Sequence, residues 1–245
     1  MENQKPASNS TDAALVANVA LLAVGLVLNV FYWRSGFAFP LKCACSAGFA
    51  TLAVVNAVFA VALKRPNRRF YVAAVCGLLC AALGDVLIGF DFVWGAAAFG
   101  VGHLALIVAF SFLKGFRRLD AVLSVAIFLF AAAFLNFFPG IAFATPFLKS
   151  VCVGYAAVIS AMLGKAVGNF AASQTIANGA FASGAFLFFF SDMMLALNVF
   201  VGRWSWCDAA CLATYFPAVY LLAFSLYLKS RTDATDERRD ATSVD

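Results

Sequence analysis

Two aspartates lie in stretches of the sequence that are otherwise apolar. Asp85 falls in the segment ALGDVLIG, and Asp192 falls in the segment FFFSDMMLAL farther along the chain. The chain has twelve acidic residues, and we place the other ten in tails, in loops or at the edges of apolar segments. An ionisable side chain inside a membrane is unfavourable and marks a functional site by default. Asp85 and Asp192 are therefore the first candidates for a functional site.

Two carboxyl groups that are buried in one site repel each other when both are charged, so one holds a proton while the other stays ionised. Such a pair suits an enzyme that needs one acid and one base, or a transporter that binds a cation or relays protons. A third interpretation is structural, with the carboxyl groups capping helices or bonding one helix to another. The sequence has no G-x-S-x-G, H-E-x-x-H or phosphate-binding-loop motif. An enzymatic site would therefore act with water rather than through an acyl-enzyme.

Other polar side chains accompany the aspartates. His103, the single histidine, lies in an apolar stretch and is either a partner in acid/base chemistry or a hydrogen-bonding link between helices. Lys42 lies near the end of an apolar span, where it either extends to the membrane surface or holds a lipid phosphate beside the carboxylates. Tyr215 lies in the last apolar span.

The composition predicts an all-α polytopic membrane protein. The 245 residues are 64% hydrophobic with a mean hydropathy of +0.93, whereas a soluble domain is about half apolar. A span needs about 20 apolar residues, and this criterion predicts eight spans, at 13–32, 40–63, 69–89, 92–113, 119–137, 146–167, 176–199 and 209–228. The N-terminus lacks the basic segment that begins a signal peptide, so we expect the first span to be retained. We expect one transmembrane domain, 13–228, with cytoplasmic tails at 1–12 and 229–245.

The positively charged residues predict the orientation of the spans. With the N-terminus inside, thirteen Lys and Arg fall in the inner segments and four on the outer side. Cytoplasmic loops carry the excess of positive charge in membrane proteins, so both termini are predicted to be inside. The net charge of +5 is spread over short loops, which argues against a nucleic-acid partner.

This orientation places four polar side chains from four spans in the outer half of the membrane. At 1.5 Å per helical residue, Asp85 lies roughly 6 Å and Asp192 roughly 10 Å from the outer ends of their spans. Tyr215 lies at roughly 9 Å and His103 deeper, at roughly 16 Å. We expect these side chains to converge.

A faint internal repeat relates the two aspartates. Gly77 precedes Asp85 by eight residues, as Gly184 precedes Asp192. The offset is four spans, which suggests two parallel halves in a 4+4 arrangement.

The cysteines do not form a metal-binding set. Cys76 and Cys80 share a helix face, but no histidine or further cysteine accompanies them, as a zinc site would need. We predict no metal and no cofactor. Cys207 and Cys211 lie on the same side of the membrane as the cysteines of the second span, and the sequence leaves open whether they pair.

Several short motifs follow one another in an order and at a spacing typical of a known family. They are Leu41-Lys42-Cys43, Gly84-Asp85, Gly95 to His103 with Phe99 between them, Tyr155 to Met162, Gly184 to Asn198 with Ser191-Asp192 inside it, and Thr214-Tyr215. In these features the chain resembles the lysoplasmalogenase (YhhN-like) family of eight-helix membrane proteins. The resemblance runs from about Pro40 to Leu228.

The resemblance implies a reaction. Members of this family use water to cleave the vinyl-ether bond of lysoplasmalogens, which gives a fatty aldehyde and a glycerophospho-ethanolamine or -choline. It implies that Asp85 and Asp192 are catalytic, and we group His103 with them. We expect five residues to bind substrate: Lys42, Tyr155, Ser191, Asn198 and Tyr215. The expected partners are a vinyl-ether lysophospholipid and membrane lipid, in the endoplasmic reticulum of a eukaryote or the inner membrane of a bacterium.

A vinyl ether is hydrolysed by proton transfer to its β-carbon, after which water captures the oxocarbenium ion. This needs a neutral carboxylic acid and a carboxylate, as glycoside hydrolysis does. We assign the acid to Asp192, because the apolar run Phe186 to Phe190 precedes it and because we expect His103 to lie near Asp85.

The chain departs from the family pattern at two positions. Val219 stands where the family usually has glutamine, and Leu106 stands where it usually has tyrosine. Two alternatives to the hydrolase therefore stay open: a proton- or cation-coupled transporter that uses the same aspartates, and a family member that binds lipid without catalysis.

Overall fold

The computed structural model describes residues 7–202 and 205–242 of the chain. This part of the chain folds into eight α-helices and contains no strand. The helices are α1 (Ala7–Arg34), α2 (Phe39–Ala62), α3 (Arg68–Leu87), α4 (Phe92–Leu113), α5 (Arg118–Phe137), α6 (Pro146–Ala172), α7 (Ile176–Phe200) and α8 (Ser205–Thr242). All eight are long and apolar enough to cross a membrane, which confirms the predicted all-α, eight-span architecture.

The helices follow the predicted spans closely, but α1 begins at Ala7, within the expected N-terminal tail, and α8 continues past residue 228 to Thr242, through most of the expected C-terminal tail. Hydropathy indicates where a chain leaves the membrane. A helix can continue beyond that point when the following residues are compatible with helical structure. Lys229 and Asp233, one turn apart on α8, form an ion pair on this extension, and such pairs stabilise helices. Residues 1–6 and 243–245 of the predicted tails lie outside the described residues, as does Arg203, one of the four outer cations.

Six of the helices form a closed ring. Each of these helices contacts the next in the order α2, α3, α4, α6, α7, α8, and α8 also contacts α2, which closes the ring. The other two helices lie outside this ring, α1 against α2 and α8, and α5 against α6. Their most apolar windows are only 11% and 17% buried, whereas those of the ring helices are 33% to 50% buried. The interior of the ring is therefore where polar side chains are shielded from lipid.

Two glycines let the aspartate-bearing helices pack tightly against the helices that follow them. A Cβ atom on Gly77 of α3 would lie 2.9 Å from the backbone oxygen of Gly102 on α4. A Cβ atom on Gly184 of α7 would lie 3.2 Å from the backbone oxygen of Ala218 on α8. Glycine permits such close approach between helices in a membrane. The two glycines thus have matching roles, while the 4+4 repeat itself stays a prediction.

Asp91 has a local role at the start of α4. Its side chain accepts hydrogen bonds from the backbone N–H groups of Val93 (2.8 Å) and Trp94 (3.0 Å). This is the usual capping of a helix N-terminus by aspartate. It fixes the turn between α3 and α4, directly after the helix that carries Asp85.

Candidate active site

A cavity of about 700 Å³ opens at the ends of the helices that we predict to face outward. Its walls come from α2, α3, α4, α7 and α8 and from the end of α1. The lining residues are Tyr32, Gly36, Phe37, Lys42, Asp85, Ile88, Phe92, Phe99, Ser191, Asp192, Leu195, Asn198, Val199, Asp208, Cys211, Leu212 and Tyr215. Both aspartates within the spans therefore face one enclosed space.

Asp85 accepts hydrogen bonds from two hydroxyl groups. Ser46 on α2 and Tyr215 on α8 both donate to Oδ2, at 2.6 and 2.7 Å. The ammonium nitrogen of Lys42 lies 3.6 Å from Oδ1. Asp85 is only 2% exposed, so these donors replace the water that a carboxylate would otherwise need. Hydroxyl donors and a nearby cation stabilise the ionised form of a carboxyl group.

Asp192 belongs to a different chain of hydrogen bonds. The hydroxyl of Tyr155 on α6 donates to Asp192 Oδ2 at 2.5 Å, and the same hydroxyl lies 2.9 Å from His103 Nε2. A tyrosine has a single hydroxyl hydrogen. Since that hydrogen is given to Asp192, the oxygen of Tyr155 accepts from a protonated Nε2 of His103. The three side chains therefore form one line from α4 through α6 to α7.

The expectation that His103 lies near Asp85 is wrong. Its Nε2 is 3.9 Å from Asp192 Oδ2, and its hydrogen-bonding partner is Tyr155. The reason is that α4 packs against α6 as well as against α3, and the face of α4 that carries His103 points to α6. Hydropathy along α4 does not distinguish these faces, because both neighbours are apolar helices.

Aromatic rings fill the space between the two groups of hydrogen bonds. The ring centroid of Phe188 lies 4.7 Å from that of His103 and 5.3 Å from that of Tyr215, edge-on to both. Phe99 packs edge-on against Phe188 and Tyr215 at 6.0 Å. Such packing holds the imidazole and the phenol in fixed orientations and leaves an apolar surface between the surroundings of the two aspartates.

A second, apolar cleft of about 80 Å³ lies next to the cavity, with walls from α4, α5, α6 and α7 and the end of α3. Its residues include Ala131, Phe134, Leu135, Val151, Cys152, Ile159 and Phe189. The cleft and the cavity share five lining residues: Ile88, Phe92, Phe99, Asp192 and Leu195. Asp192 is thus the carboxyl group at the boundary between the polar cavity and the apolar cleft, whereas Asp85 lines the cavity and not the cleft.

The five residues that we expected to bind substrate all lie at this site, four in the cavity and one in the cleft. Lys42, Ser191, Asn198 and Tyr215 line the cavity, and Tyr155 lines the cleft. The hydroxyl of Ser191 is turned back to a backbone carbonyl of its own helix.

Two residues of the site are not among those predicted from the sequence. Ser46 lies one helical turn after Lys42 and therefore shares its face, a spacing that would have identified it. Asp208 is one of the ten acids that we predict to lie in tails, in loops or at span edges, yet it lines the cavity and accepts a hydrogen bond of 2.5 Å from the side-chain amide of Asn198.

A further buried acid lies at the opposite, predicted inner, end of the bundle. Asp120 on α5 is fully buried and accepts hydrogen bonds from Lys165 on α6 at 2.8 Å and from Arg117 at 2.9 Å. Lys165 is fully buried too and also donates to Asn169. Asp120 is one of the ten acids that we predict to lie in tails, in loops or at span edges, and in the structure it links α5 to α6. None of these side chains lines the cavity or the cleft.

The two departures from the family pattern lie away from the site. Leu106 is 2% exposed and packs against Gly77, and Val219 is fully buried. Neither residue lines the cavity or the cleft. These positions therefore affect helix packing rather than the composition of the cavity walls.

All seven cysteines are free thiols.

Comparison with known proteins gives one match. A model described as the YhhN family matches residues 45–226, which span α2 to α8 and include every residue named above at the two aspartates except Lys42. No curated protein and no solved structure matches the chain significantly.

Proposed function

The chain belongs to the YhhN family, and from this premise we propose that it is a membrane hydrolase that cleaves the vinyl-ether bond of lysoplasmalogens with water. The products are a fatty aldehyde and a glycerophospho-ethanolamine or -choline. One observation carries the proposal: Asp192 lies where the polar cavity meets the apolar cleft.

A lysoplasmalogen, like the site, has a polar part next to an apolar part. Its vinyl-ether bond joins a polar glycerophospho head to a single hydrocarbon chain. With the head in the cavity and the chain in the cleft, the alkenyl carbons lie at the boundary, beside Asp192. The apolar walls of the cleft can receive the hydrocarbon chain from the membrane, and the ring of helices keeps the reacting carbons away from bulk water.

Proton transfer to carbon is the first step. Asp192, as the neutral acid, gives its proton to the β-carbon of the vinyl ether, and positive charge develops on the other alkenyl carbon and the ether oxygen. Because Tyr155 donates to Oδ2 of Asp192, the acidic proton resides on Oδ1, the oxygen that this bond leaves available. A well-placed general acid contributes about 100- to 10,000-fold to the rate.

Asp85 is the carboxylate of the second step. The donors Ser46 and Tyr215 and the cation Lys42 favour its ionised form, and its negative charge stabilises the oxocarbenium ion. Asp85 takes a proton from water as the water oxygen bonds to the cationic carbon, which gives a hemiacetal. The bond from that carbon to the glycerol oxygen then breaks. Asp85 returns its proton to the glycerol oxygen, and the hemiacetal hydroxyl reprotonates Asp192.

Tyr155 and His103 act on Asp192 as positioning residues. Tyr155 holds the carboxyl group of Asp192 in one orientation, and His103 fixes Tyr155 by donating to its oxygen. In this proposal His103 acts through Tyr155 and does not touch the substrate. The assignment of Asp192 as the acid does not depend on this bond, because a hydroxyl donor favours the ionised form of a carboxyl group. It depends on the position of Asp192 at the apolar cleft and on Lys42, which lies beside the other aspartate, Asp85.

The deciding experiment measures aldehyde release by the purified protein in detergent, without any ion gradient. We expect release from a lysoplasmalogen and none from its saturated alkyl-ether analogue. Asp85→Asn and Asp192→Asn should each lower kcat at least about 100-fold, and the double variant should be scarcely slower than either, because both residues serve one reaction. Asp91→Asn is the matched control, since it changes an exposed aspartate outside the cavity and keeps a capping side chain.

The alternatives give different results. A transporter or a non-catalytic lipid-binding protein releases no aldehyde from any substrate. Substantial release by folded Asp85→Asn or Asp192→Asn protein would contradict the division of roles between the two aspartates.

A further inference from the structure

Asp208 and Asn198 form a pair of acceptors in the wall of the cavity. The amide nitrogen of Asn198 donates to Asp208 Oδ1 at 2.5 Å. A carboxylate cannot donate, so this bond fixes the orientation of the amide and turns Oδ1 of Asn198 away from Asp208. That Oδ1 atom is buried and has no hydrogen-bond partner among the described residues. A buried acceptor without a donor is unusual in proteins and calls for a ligand or another explanation.

The charges around the cavity also favour a ligand with a positively charged group. Asp85, Asp192 and Asp208 line it, and Lys42 is the cation among its lining residues. Lys42 lies beside Asp85, whereas Asp208 accepts a hydrogen bond from the neutral amide of Asn198. Asp208 also lies in the first turn of α8.

We propose that Asp208 and Asn198 bind the primary ammonium group of a phosphoethanolamine head and thereby select it over phosphocholine. This inference rests on the proposed function, because it takes a lysophospholipid to be the ligand of the cavity. The free oxygen of the Asp208 carboxylate and Oδ1 of Asn198 each accept one N–H of the ammonium. The phosphate of the same head group then lies toward Lys42.

Trimethylammonium has the same charge but no N–H group. It satisfies the charge of Asp208 and leaves Oδ1 of Asn198 without a donor. A site whose buried polar atoms are left unpaired discriminates strongly against the ligand that lacks the hydrogen. The expected preference for the ethanolamine head is therefore about tenfold or more.

Binding of saturated alkyl-ether lysolipids tests this proposal without any need for turnover. Dissociation constants are measured for the ethanolamine and choline forms with the full-length protein in detergent. We expect the wild-type protein to prefer the ethanolamine form about tenfold or more. Asp208→Asn and Asn198→Leu should each abolish the preference by weakening binding of the ethanolamine form. Asp91→Asn, a change of the same kind outside the cavity, should keep it.

Two further arms identify the ligand and separate this proposal from the proposed function. Glycerophosphoethanolamine, which has the head without a chain, should compete at least about 100-fold more weakly than the lysolipid, because it buries no methylenes. Equal competition would make the site one for soluble amines and overturn the lipid assignment. Equal affinity for both lysolipids, or an unchanged preference in folded Asp208→Asn protein, would overturn the ammonium site. Aldehyde release by that same wild-type protein would still support the proposed hydrolase function. A head-group preference without aldehyde release would contradict the hydrolase function and support the ammonium site.

Discussion

Tyr155 donates its hydroxyl hydrogen to Oδ2 of Asp192 at 2.5 Å, from a helix that contacts both α4 and α7. The bond leaves Oδ1 of Asp192 as the oxygen that can carry a transferable proton. Tyr155 therefore orients Asp192, in addition to the contact with substrate that the sequence predicts for it.

Tyr155→Phe removes the hydroxyl and keeps the ring. We expect kcat for lysoplasmalogen to fall about 10- to 100-fold with little change in KM, because the mispositioning of an acid affects the transition state more than binding. Steady-state aldehyde release measures both constants. Tyr71→Phe is the matched control, since Tyr71 donates to Asp233 at the other end of the bundle, and its turnover should equal that of the wild type.

Variants of His103 separate positioning from a purely structural role. His103→Gln keeps an N–H donor for Tyr155 and should retain more turnover than His103→Leu, which has none. Equal kcat values in these two folded variants would remove the histidine from the proposed mechanism.

Lys42→Met should raise KM more than it lowers kcat. Contact with a phosphate that does not react is made equally in the ground state and the transition state, so its loss weakens binding. Some loss of kcat is also expected, because Lys42 lies 3.6 Å from Asp85. Lys42→Arg keeps the charge and serves as the control. Kinetics identical to the wild type would assign Lys42 to the membrane surface alone.

Asp120→Asn should destabilise the protein without changing its chemistry. Asp120 and Lys165 are both fully buried, and removal of one partner of a buried ion pair costs about 3–5 kcal/mol. Thermal unfolding in detergent measures the loss, and kcat per folded molecule should not change. The double variant Asp120→Asn/Lys165→Met should recover part of the stability, because it also removes the buried ammonium group that the single variant leaves without its carboxylate. A large fall in kcat would instead connect the inner ion pair to the site.

The orientation of the protein is tested by labelling introduced cysteines in intact cells. Arg68 precedes the bulk of α3 and Lys149 lies near the start of α6, and both are exposed. With the N-terminus inside, a membrane-impermeant reagent should label Lys149→Cys from outside and should label Arg68→Cys only after the membrane is permeabilised. Labelling of Arg68→Cys from outside would reverse the predicted topology.

The number and placement of the spans, and the choice of Asp85 and Asp192 as candidate site residues, follow from the order of amino acids alone. These features depend on local quantities. A span is recognised by some 20 consecutive apolar residues, and a carboxyl group inside one is conspicuous because its burial is unfavourable wherever its neighbours lie. The span predicted at 209–228 is shorter than α8 (Ser205–Thr242), because hydropathy reports the edge of the membrane and not the end of the helix.

Only the tertiary structure decided which side chains meet. In a soluble helix, an apolar stripe shows which face is inward, but here lipid and the neighbouring helices are both apolar. The sequence of α4 therefore gave no reason to turn His103 toward Tyr155 rather than toward Asp85. For the same reason Ser46 and Asp208 went unrecognised, and Asp120 at its span edge gave no sign that it was fully buried. Each of these contacts depends on the rotation of one helix against another, which close packing at positions such as Gly77 and Gly184 determines.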